Sequence, residues 1–193
     1  MEYVGMRSII RYVARIHTMI DSAEVNKAIR RVLSPTLRER GFTKVQTRNN
    51  WCHLDDRIWV FVIRSIGGYR LPDDFPSQSL HCQIGIYFWD FPPNPEPALR
   101  TMPKVDKDGL IVPREWDCHW RGKMTIIADQ SALRRGLRHA QERNRKDVWW
   151  VTDDGSNLED VVEDIKQSFL KKGVRRLKNA DRAKILKYWL AEA

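Results

Sequence analysis

Six consecutive apolar residues at positions 58–63 (Ile-Trp-Val-Phe-Val-Ile) constrain the fold of this chain more than any other stretch. The run is far too short to cross a bilayer as a helix. Because its apolar side chains point to both sides, it predicts a strand at the centre of a sheet. Short connections to neighbouring strands favour an antiparallel meander, with strands predicted over residues 43–48, 51–54, 80–89 and 116–124 and turns at Asn49–Asn50 and Asp55–Asp56.

Helical patterns lie on both sides of these strands in the sequence. Asp21 and Glu24 predict a capped helix start. Pro35 predicts a kink or a break, and Gly41 predicts the end of that helix. Later helices are predicted over residues 131–146, 158–172 and 181–193. We therefore predict an α+β fold: a single antiparallel sheet of about five strands, with helices packed before and after it.

Residues 1–18 are predicted to be an N-terminal extension, and residues 19–193 a single α+β domain. The extension carries apolar residues at helical spacing with arginines on another side: Ile9, Ile10, Val13 and Ile16 against Arg7, Arg11 and Arg15. A basic amphipathic helix of this kind can touch a membrane or a partner. Two other interpretations stay open: a helix packed on the domain, or a natural start at Met19.

The composition describes a folded, basic protein. Its net charge of +9 and pI of about 9.7 attract polyanions such as nucleic acid or an anionic membrane surface. With 8 Trp, 6 Phe and 5 Tyr the chain can build a core, which excludes wholesale disorder. Three dispersed cysteines argue against a disulfide framework and favour a reducing cytoplasm. No apolar run is long enough to predict a membrane span.

Several short segments resemble a known family. Residues 38–42 (Arg-Glu-Arg-Gly-Phe) end the first predicted helix, residues 117–122 read Asp-Cys-His-Trp-Arg-Gly, and Trp149–Trp150 precede an acid-capped helix. Together with the strand meander, they resemble a bacterial family known as domain of unknown function 4304, over about residues 20–177. The resemblance implies a single α+β domain and carries over no catalytic residue.

Every cysteine is adjacent to a histidine: Cys52–His53, His81–Cys82 and Cys118–His119. Neighbouring residues of a strand point to opposite faces, so this pattern predicts buried thiols on one face and imidazoles on the other. A polar face of this kind is typical of a ligand groove, which the loops 67–79 and 90–113 would flank. An ordinary solvated or helix-covered face is the competing interpretation. The predicted ligand-binding residues are His53, His81, Gln83, Tyr87, Trp89, Asp117, His119 and Arg121.

The same histidines raise the question of metal binding or catalysis. Three imidazoles on neighbouring strands can bind zinc, and Asp117 with His119 can act as a general base. The chain has no Cys-x-x-Cys or His-Glu-x-x-His motif and no known catalytic signature. We therefore predict no cofactor and no metal, and we favour a non-enzymatic protein while leaving the question of enzymatic activity open.

Basic residues cluster in two stretches, 134–146 and 166–187, on either side of an acidic stretch at 147–164. Basic helix faces can follow a phosphate backbone, although no ribonucleoprotein motif, zinc finger or clear helix-turn-helix is present. The candidate nucleic-acid contacts are Arg134, Arg135, Arg138, Lys171, Lys172, Arg175 and Arg176. The leading prediction is a bacterial cytoplasmic module that binds a small ligand or a protein through the polar sheet face. Nucleic-acid binding is the alternative, followed by a histidine-based metal protein or enzyme.

Overall fold

The computed structural model describes residues 20–66, 78–92, 102–128 and 146–191. The N-terminal extension 1–18 lies outside the described residues, as does the helix expected over 131–146 apart from its last residue. The described helices and strands form an α+β fold with a mainly antiparallel sheet, as predicted.

The first half contains helices α1 (Ser22–Val32) and α2 (Ser34–Glu39) and strands β1 (Lys44–Gln46), β2 (Asn49–His53), β3 (Arg57–Ser65) and β4 (Leu80–Phe88). The next elements are β5 (Lys104–Val105), β6 (Ile111–Val112), a 3-10 turn (Glu115–Asp117), β7 (Trp120–Lys123) and β8 (Val148–Trp149). A helix follows that consists of α3 (Leu158–Ser168), a π-helical turn (Phe169–Gly173) and α4 (Val174–Lys178); α5 (Arg182–Ala191) is the last element.

The first helices begin and end at the residues that the sequence predicts. The Asp21 carboxylate accepts a hydrogen bond from Glu24 N at 2.8 Å and so caps α1. Pro35 lies in the first turn of α2, where its missing N–H removes no helical hydrogen bond. Gly41 follows α2 with a φ of 84°, and the chain then places Phe42 in the core.

The main sheet has the strand order β1-β2-β3-β4-β7, with every pair antiparallel, and β8 pairs with the start of β4. The longest pairing joins β3 and β4 from Arg57 opposite Phe88 to Ser65 opposite Leu80. The apolar run 58–63 is therefore an inner strand of the sheet, as predicted. β1 lies at one edge of the sheet, and β7 and β8 lie along the other.

Helices cover one face of this sheet, which we call the helical face. Its core contains Val25, Ile29, Phe61, Ile63, Ile84, Ile86, Phe88, Val161, Ile165 and Phe169. The opposite face, here the second face, has a smaller buried cluster of Trp51, Ile58, Val60, Val62 and Cys118. Because β3 contributes to both clusters, its side chains are apolar on both sides.

Residues 102–118, which we call the cover segment, pack against the second face. The hairpin of β5 and β6 and the 3-10 turn form this segment, and Ile111 and Val112 contact the second-face cluster. The predicted loop 90–113 therefore contains ordered structure in its second half. Its residues 93–101 and most of the predicted loop 67–79 lie outside the described residues.

Two local predictions are wrong. The strand expected over 116–124 is limited to Trp120–Lys123, because Glu115–Asp117 form a 3-10 turn. An ion pair between Arg114, which precedes this turn, and Asp117, its last residue, holds the two ends of the turn together. The turn expected at Asn49–Asn50 lies at Thr47 instead. Thr47 adopts a φ of 53°, and both asparagines belong to β2, where they pair with β1.

The C-terminal part extends further as helix than predicted. The helix expected over 158–172 continues through the π-helical turn to residue 178. Gly173 permits this turn to pack closely, since a Cβ there would lie 2.9 Å from the Phe169 ring and 3.2 Å from Met124 Sδ. Before this helix, Trp149 lies in the main core, whereas Trp150 packs with Val148 and Ile66.

Candidate functional site

The predicted separation of thiols from imidazoles holds for two of the three pairs. On β2, Cys52 lies on the helical face and His53 on the second face; on β4, Cys82 and His81 are divided in the same way. Burial raises the pKa of both thiols. These cysteines therefore act as small core residues, because a neutral, enclosed thiol is a poor nucleophile.

The third pair does not follow the alternation, because Cys118 and His119 precede β7 rather than lying on it. Cys118 is buried on the second face, against the position where Gly85 has no side chain. A Cβ at Gly85 would lie 2.6 Å from Cys118 Sγ. The sequence prediction that all three thiols share one face is therefore wrong for Cys118.

His119 is a buried structural residue rather than part of an open groove, and its side chain is 7% exposed. Its Nδ1 accepts a hydrogen bond from Phe88 N at 3.0 Å, so Nε2 carries the proton and donates to Pro92 O at 3.3 Å. The rings of Phe91 and Trp189 lie 5.1 and 4.7 Å from the imidazole. Burial lowers the pKa of His119 to about 4, so the ring is neutral near pH 7.

His53 lies beneath the cover segment. Its Nε2 donates to Ile111 O at 2.8 Å, and its Nδ1 lies 2.6 Å from the Thr43 hydroxyl. Trp51 lies two residues before His53 on the same strand, and its indole N–H donates to Pro113 O at 2.8 Å. Both ring nitrogens of His53 are therefore engaged within the fold.

Ion pairs fix the same segment at its two ends. Lys44 of β1 pairs with Asp106, and Arg64 of β3 pairs with both carboxylate oxygens of Glu115 at 2.6 and 2.8 Å. The part of the second face that β2 and β3 form is thus occupied by the chain itself. The open groove that the sequence predicts across the whole polar face is therefore not formed over β2 and β3.

Asp117 does not face a groove either. Its carboxylate accepts hydrogen bonds from Arg114 N at 2.7 Å and from the Arg114 guanidinium at 3.0 and 3.1 Å. The residue is 5% exposed, and Arg114 also lies 4.7 Å above the ring of Trp116. The general-base pair of Asp117 and His119 is therefore not assembled, since each residue bonds to a different part of the backbone.

The half of the second face that the described residues leave uncovered contains the side chains of His81, Gln83 and Arg121. None of the three has a hydrogen-bond or ion-pair partner in the parts of the chain that the structure describes. Burial lowers the pKa of His81, although the nearby Asp147 carboxylate opposes that effect. Tyr87, further along β4 on this face, lies ring to ring with His119 at 4.9 Å.

The remaining predicted ligand-binding residue, Trp89, comes directly after β4 and is 38% exposed. Its ring lies 6.3 Å from His53. The three imidazoles of His53, His81 and His119 thus occupy separate environments. Among residues 20–66, 78–92, 102–128 and 146–191, no group of three or more His, Cys, Asp or Glu could hold a metal ion.

A second candidate site lies along β7, at the edge of the sheet. Arg121 and Lys123 are exposed there, and Lys123 Nζ lies 3.3 Å from the Asp147 carboxylate. From the following helices, Arg176 donates to Lys123 O at 2.8 Å and stacks over Trp120 at 5.4 Å. We call the exposed cations Arg121, Lys123, Lys171, Lys172, Arg175 and Arg176 the basic edge.

Gly122 is what permits this close approach of helix and strand. A Cβ at Gly122 would lie 2.6 Å from a terminal guanidinium nitrogen of Arg176. Lys172 lies one turn before Arg176 on the same helix, and its Nζ is 3.4 Å from Thr125 Oγ1. Cations from two elements that are distant in sequence thus meet at one edge of the sheet.

A buried carboxylate positions the chain that follows β7. Asp164 of α3 accepts hydrogen bonds from Ile127 N, Ala128 N and the indole N–H of Trp149, at 3.2, 2.7 and 2.7 Å. Ile126 N donates to Lys146 O at 2.8 Å, so the chain leaves and re-enters the described structure beside the basic edge. Sequence reasoning missed Asp164, because it grouped this acid with the acidic stretch 147–164. The available signal was its position among the apolar residues Val161, Val162 and Ile165.

The chain matches no family model, no curated protein and no solved structure. Within the described residues, none of the helices is long and apolar enough to cross a membrane.

Proposed function

We propose that this chain is a non-enzymatic binding protein whose ligand is nucleic acid, held through its phosphates at the basic edge. The observation that carries the proposal is the meeting of β7 and the α3–α4 helix at Gly122. There, the cations of both elements are brought together by the Arg176 contact with Lys123 O. A polyanion is the natural partner of such an edge, because it neutralises several neighbouring cations at once.

The local charge balance supports this choice of ligand. Residues 120–128 and 166–178 contain no Asp or Glu, and two described acids close to them already have partners in the fold. Asp147 pairs with Lys123, and Asp164 is buried beneath Ile127 and Ala128. Among the described residues, Asp147 compensates Lys123 alone, so mutual repulsion remains among the other basic-edge cations and bound phosphates would relieve it.

The sequence between the two ends of this region adds to the charge. Residues 129–145 lie outside the described structure and contain Arg134, Arg135 and Arg138, which the sequence predicts as nucleic-acid contacts. Because Ala128 and Lys146 lie beside the basic edge, these arginines are connected to it at both ends of their segment. We therefore keep Arg134, Arg135 and Arg138 as proposed contacts to the nucleic acid.

Binding of a labelled oligonucleotide, followed by fluorescence anisotropy across a range of salt concentrations, tests the proposal. The variant Lys171→Ala/Lys172→Ala/Arg175→Ala removes three exposed cations while leaving the Arg176 interactions intact. We expect weaker binding and a log–log salt slope that falls by about 0.7–0.9 for each phosphate that the variant no longer neutralises.

The matched control is Lys27→Ala/Arg38→Ala/Arg40→Ala, which makes the same change in net charge at exposed positions in and just after α1 and α2. An equal loss of affinity in both variants would show that net charge alone accounts for binding. Absence of binding by the unchanged protein at low salt would reject nucleic acid as the ligand.

A second candidate function follows from the uncovered half of the second face. His81, Gln83 and Arg121 are adjacent there, without hydrogen-bond or ion-pair partners among the described residues, so their polar groups are available to a small ligand or a protein. A partner that co-purifies with the unchanged protein and with Lys27→Glu, but not with Gln83→Glu/Arg121→Glu, would support this function. Retention of the partner by the Gln83→Glu/Arg121→Glu variant would exclude this face as its binding site.

A further inference from the structure

A half-buried arginine, Arg48, lies at the opposite edge of the sheet from the basic edge and has no counter-charge among the described residues. Arg48 follows Thr47 in the turn between β1 and β2, and its backbone carbonyl accepts a hydrogen bond from Ile63 N at 2.8 Å. This contact continues the pairing of β2 with β3 and directs Arg48 to the helical face, two residues before Asn50. The guanidinium therefore lies below α1 at the end of the main core.

Neutral groups alone hold this guanidinium within the described structure. Nε donates to Asn26 Oδ1 of α1 at 2.6 Å, and one terminal nitrogen donates to Ser65 Oγ of β3 at 2.6 Å. The other terminal nitrogen, Nη2, is buried without a hydrogen-bond partner. A guanidinium offers five donors, so this arrangement leaves a substantial part of its capacity unused.

Among the described residues, the Arg48 guanidinium also lacks a negatively charged neighbour. Burial lowers the pKa of Arg48, and the ionisable group that opposes this effect is the Cys82 thiol. That thiol is itself fully enclosed, and burial raises its pKa, so it supplies no negative charge near pH 7. The described residues thus bury part of a permanent cation without pairing it with an anion, an arrangement that costs free energy until an anion binds.

From this geometry we infer that Arg48, with Asn26 and Ser65, forms a binding site for a small anionic group, either a carboxylate or a phosphate. Both groups match the planar fork of a guanidinium, which binds them through two parallel hydrogen bonds. Part of the Arg48 side chain is exposed, so an anion can approach it from solvent. The bonds to Asn26 and Ser65 leave one donor on Nη1 and both donors on Nη2 unused, and the Ser65 hydroxyl keeps its own proton to donate to the same anion.

This site is independent of the proposed nucleic-acid interface, because β1 and β7 are at opposite edges of the sheet. It is also distinct from a purely structural link between α1 and the sheet. With a purely structural link, an Arg48 variant responds to each anion as the unchanged protein does, whereas with an anion site part of that response depends on Arg48.

Thermal unfolding of the full chain in sodium phosphate, sodium acetate and sodium chloride, at matched pH and ionic strength, tests the inference. We expect phosphate or acetate to raise the unfolding midpoint above its value in chloride by more in the unchanged protein than in Arg48→Met, and the anion with the larger difference between the two proteins identifies the anionic group. Titration calorimetry with the same anion should then give a dissociation constant that weakens by roughly tenfold to a hundredfold in Arg48→Met.

Three variants separate the possible explanations. Arg38→Met removes one exposed cation and should leave the anion effect unchanged. Lys171→Ala/Lys172→Ala/Arg175→Ala should also preserve it, which distinguishes this site from the basic edge. If Arg48→Met does not fold, Arg48→Lys retains the charge without the fork and should show the loss of affinity. The inference is overturned if the three salts give the same midpoint, or if the Arg48 variant that folds responds to the anion like the unchanged protein.

Discussion

The His119 imidazole accepts a hydrogen bond from Phe88 N at 3.0 Å, where a neighbouring strand would otherwise supply a carbonyl. β7 begins one residue later, at Trp120 opposite Ile86, so the ring continues the edge of β4 beyond the last paired residue. This role requires a neutral ring, because Nδ1 must keep its lone pair to accept the amide proton.

The stability of the protein should therefore fall in mild acid. The pKa of His119 is lowered from 6.5 to about 4 on folding, so the unfolded chain binds this proton more readily. The neutral His119 ring therefore contributes up to about 3 kcal/mol to the free energy of unfolding. This contribution is fully present above about pH 6.5 and is lost as the pH falls toward 4. Urea unfolding between pH 7 and 4.5 measures it, with His119→Gln expected to show a flatter dependence. An equal pH dependence in both proteins would contradict the assignment.

Gly85→Ala should destabilise the fold because the added Cβ meets Cys118 Sγ at 2.6 Å. Overpacking of this kind costs about 1–3 kcal/mol. Cys118→Ala in the same chain should restore part of the loss, although the two Cβ atoms would still lie within 2.9 Å. Chemical denaturation of the two single variants and the double variant gives the coupling energy; simple additivity would show that the residues do not clash.

Asp164→Ala should be among the most destabilising single substitutions. It leaves Ile127 N, Ala128 N and the Trp149 indole N–H without their acceptor, and each unsatisfied buried donor costs about 1–3 kcal/mol. Glu163→Ala is the matched control, because its carboxylate is half exposed and pairs with Lys166 on the same helix. Equal unfolding free energies for the two variants would show that Asp164 does not hold the 127–128 segment.

Loss of the Asp106 carboxylate should loosen the cover segment without unfolding the sheet. Asp106 pairs with Lys44 and accepts hydrogen bonds from Asp108 N and Leu110 N at 2.8 and 2.9 Å. We expect Asp106→Ala to speed amide hydrogen exchange in residues 106–112, while exchange in β3 and β4 stays unchanged. Asp108→Ala, at a more exposed position 3.4 Å from Lys44, should have a much smaller effect. Faster exchange throughout the sheet would indicate that the segment is needed for global stability.

The sequence predicted most of the architecture because local chemistry decides those features. The cap at Asp21, the break at Pro35 and the left-handed Gly41 each depend on neighbouring residues alone. The central strand followed from an apolar run that no solvated element would tolerate. The resemblance to the bacterial family stays a prediction, as do the cytoplasmic location and the division at residues 18 and 19.

The candidate sites were less predictable because they depend on contacts between segments that are distant in sequence. Strand alternation placed His53 and His81 on the second face, but it gave no indication that residues 102–118 would cover His53. It also failed for Cys118 and His119, since a 3-10 turn precedes β7 and resets the orientation of the chain. Nothing local to Arg176 indicates that it reaches the carbonyl of Lys123, 53 positions earlier.

By itself, then, the amino-acid order determined which segments become helix or strand, and that two thiols and two imidazoles fall on opposite sides of one sheet. Tertiary structure alone decided which polar groups remain free to bind anything. Short-range sterics and capping act within a few residues. The pairing of Arg64 with Glu115, and the lack of a counter-charge for Arg48 among the described residues, depend instead on which distant segment packs nearby.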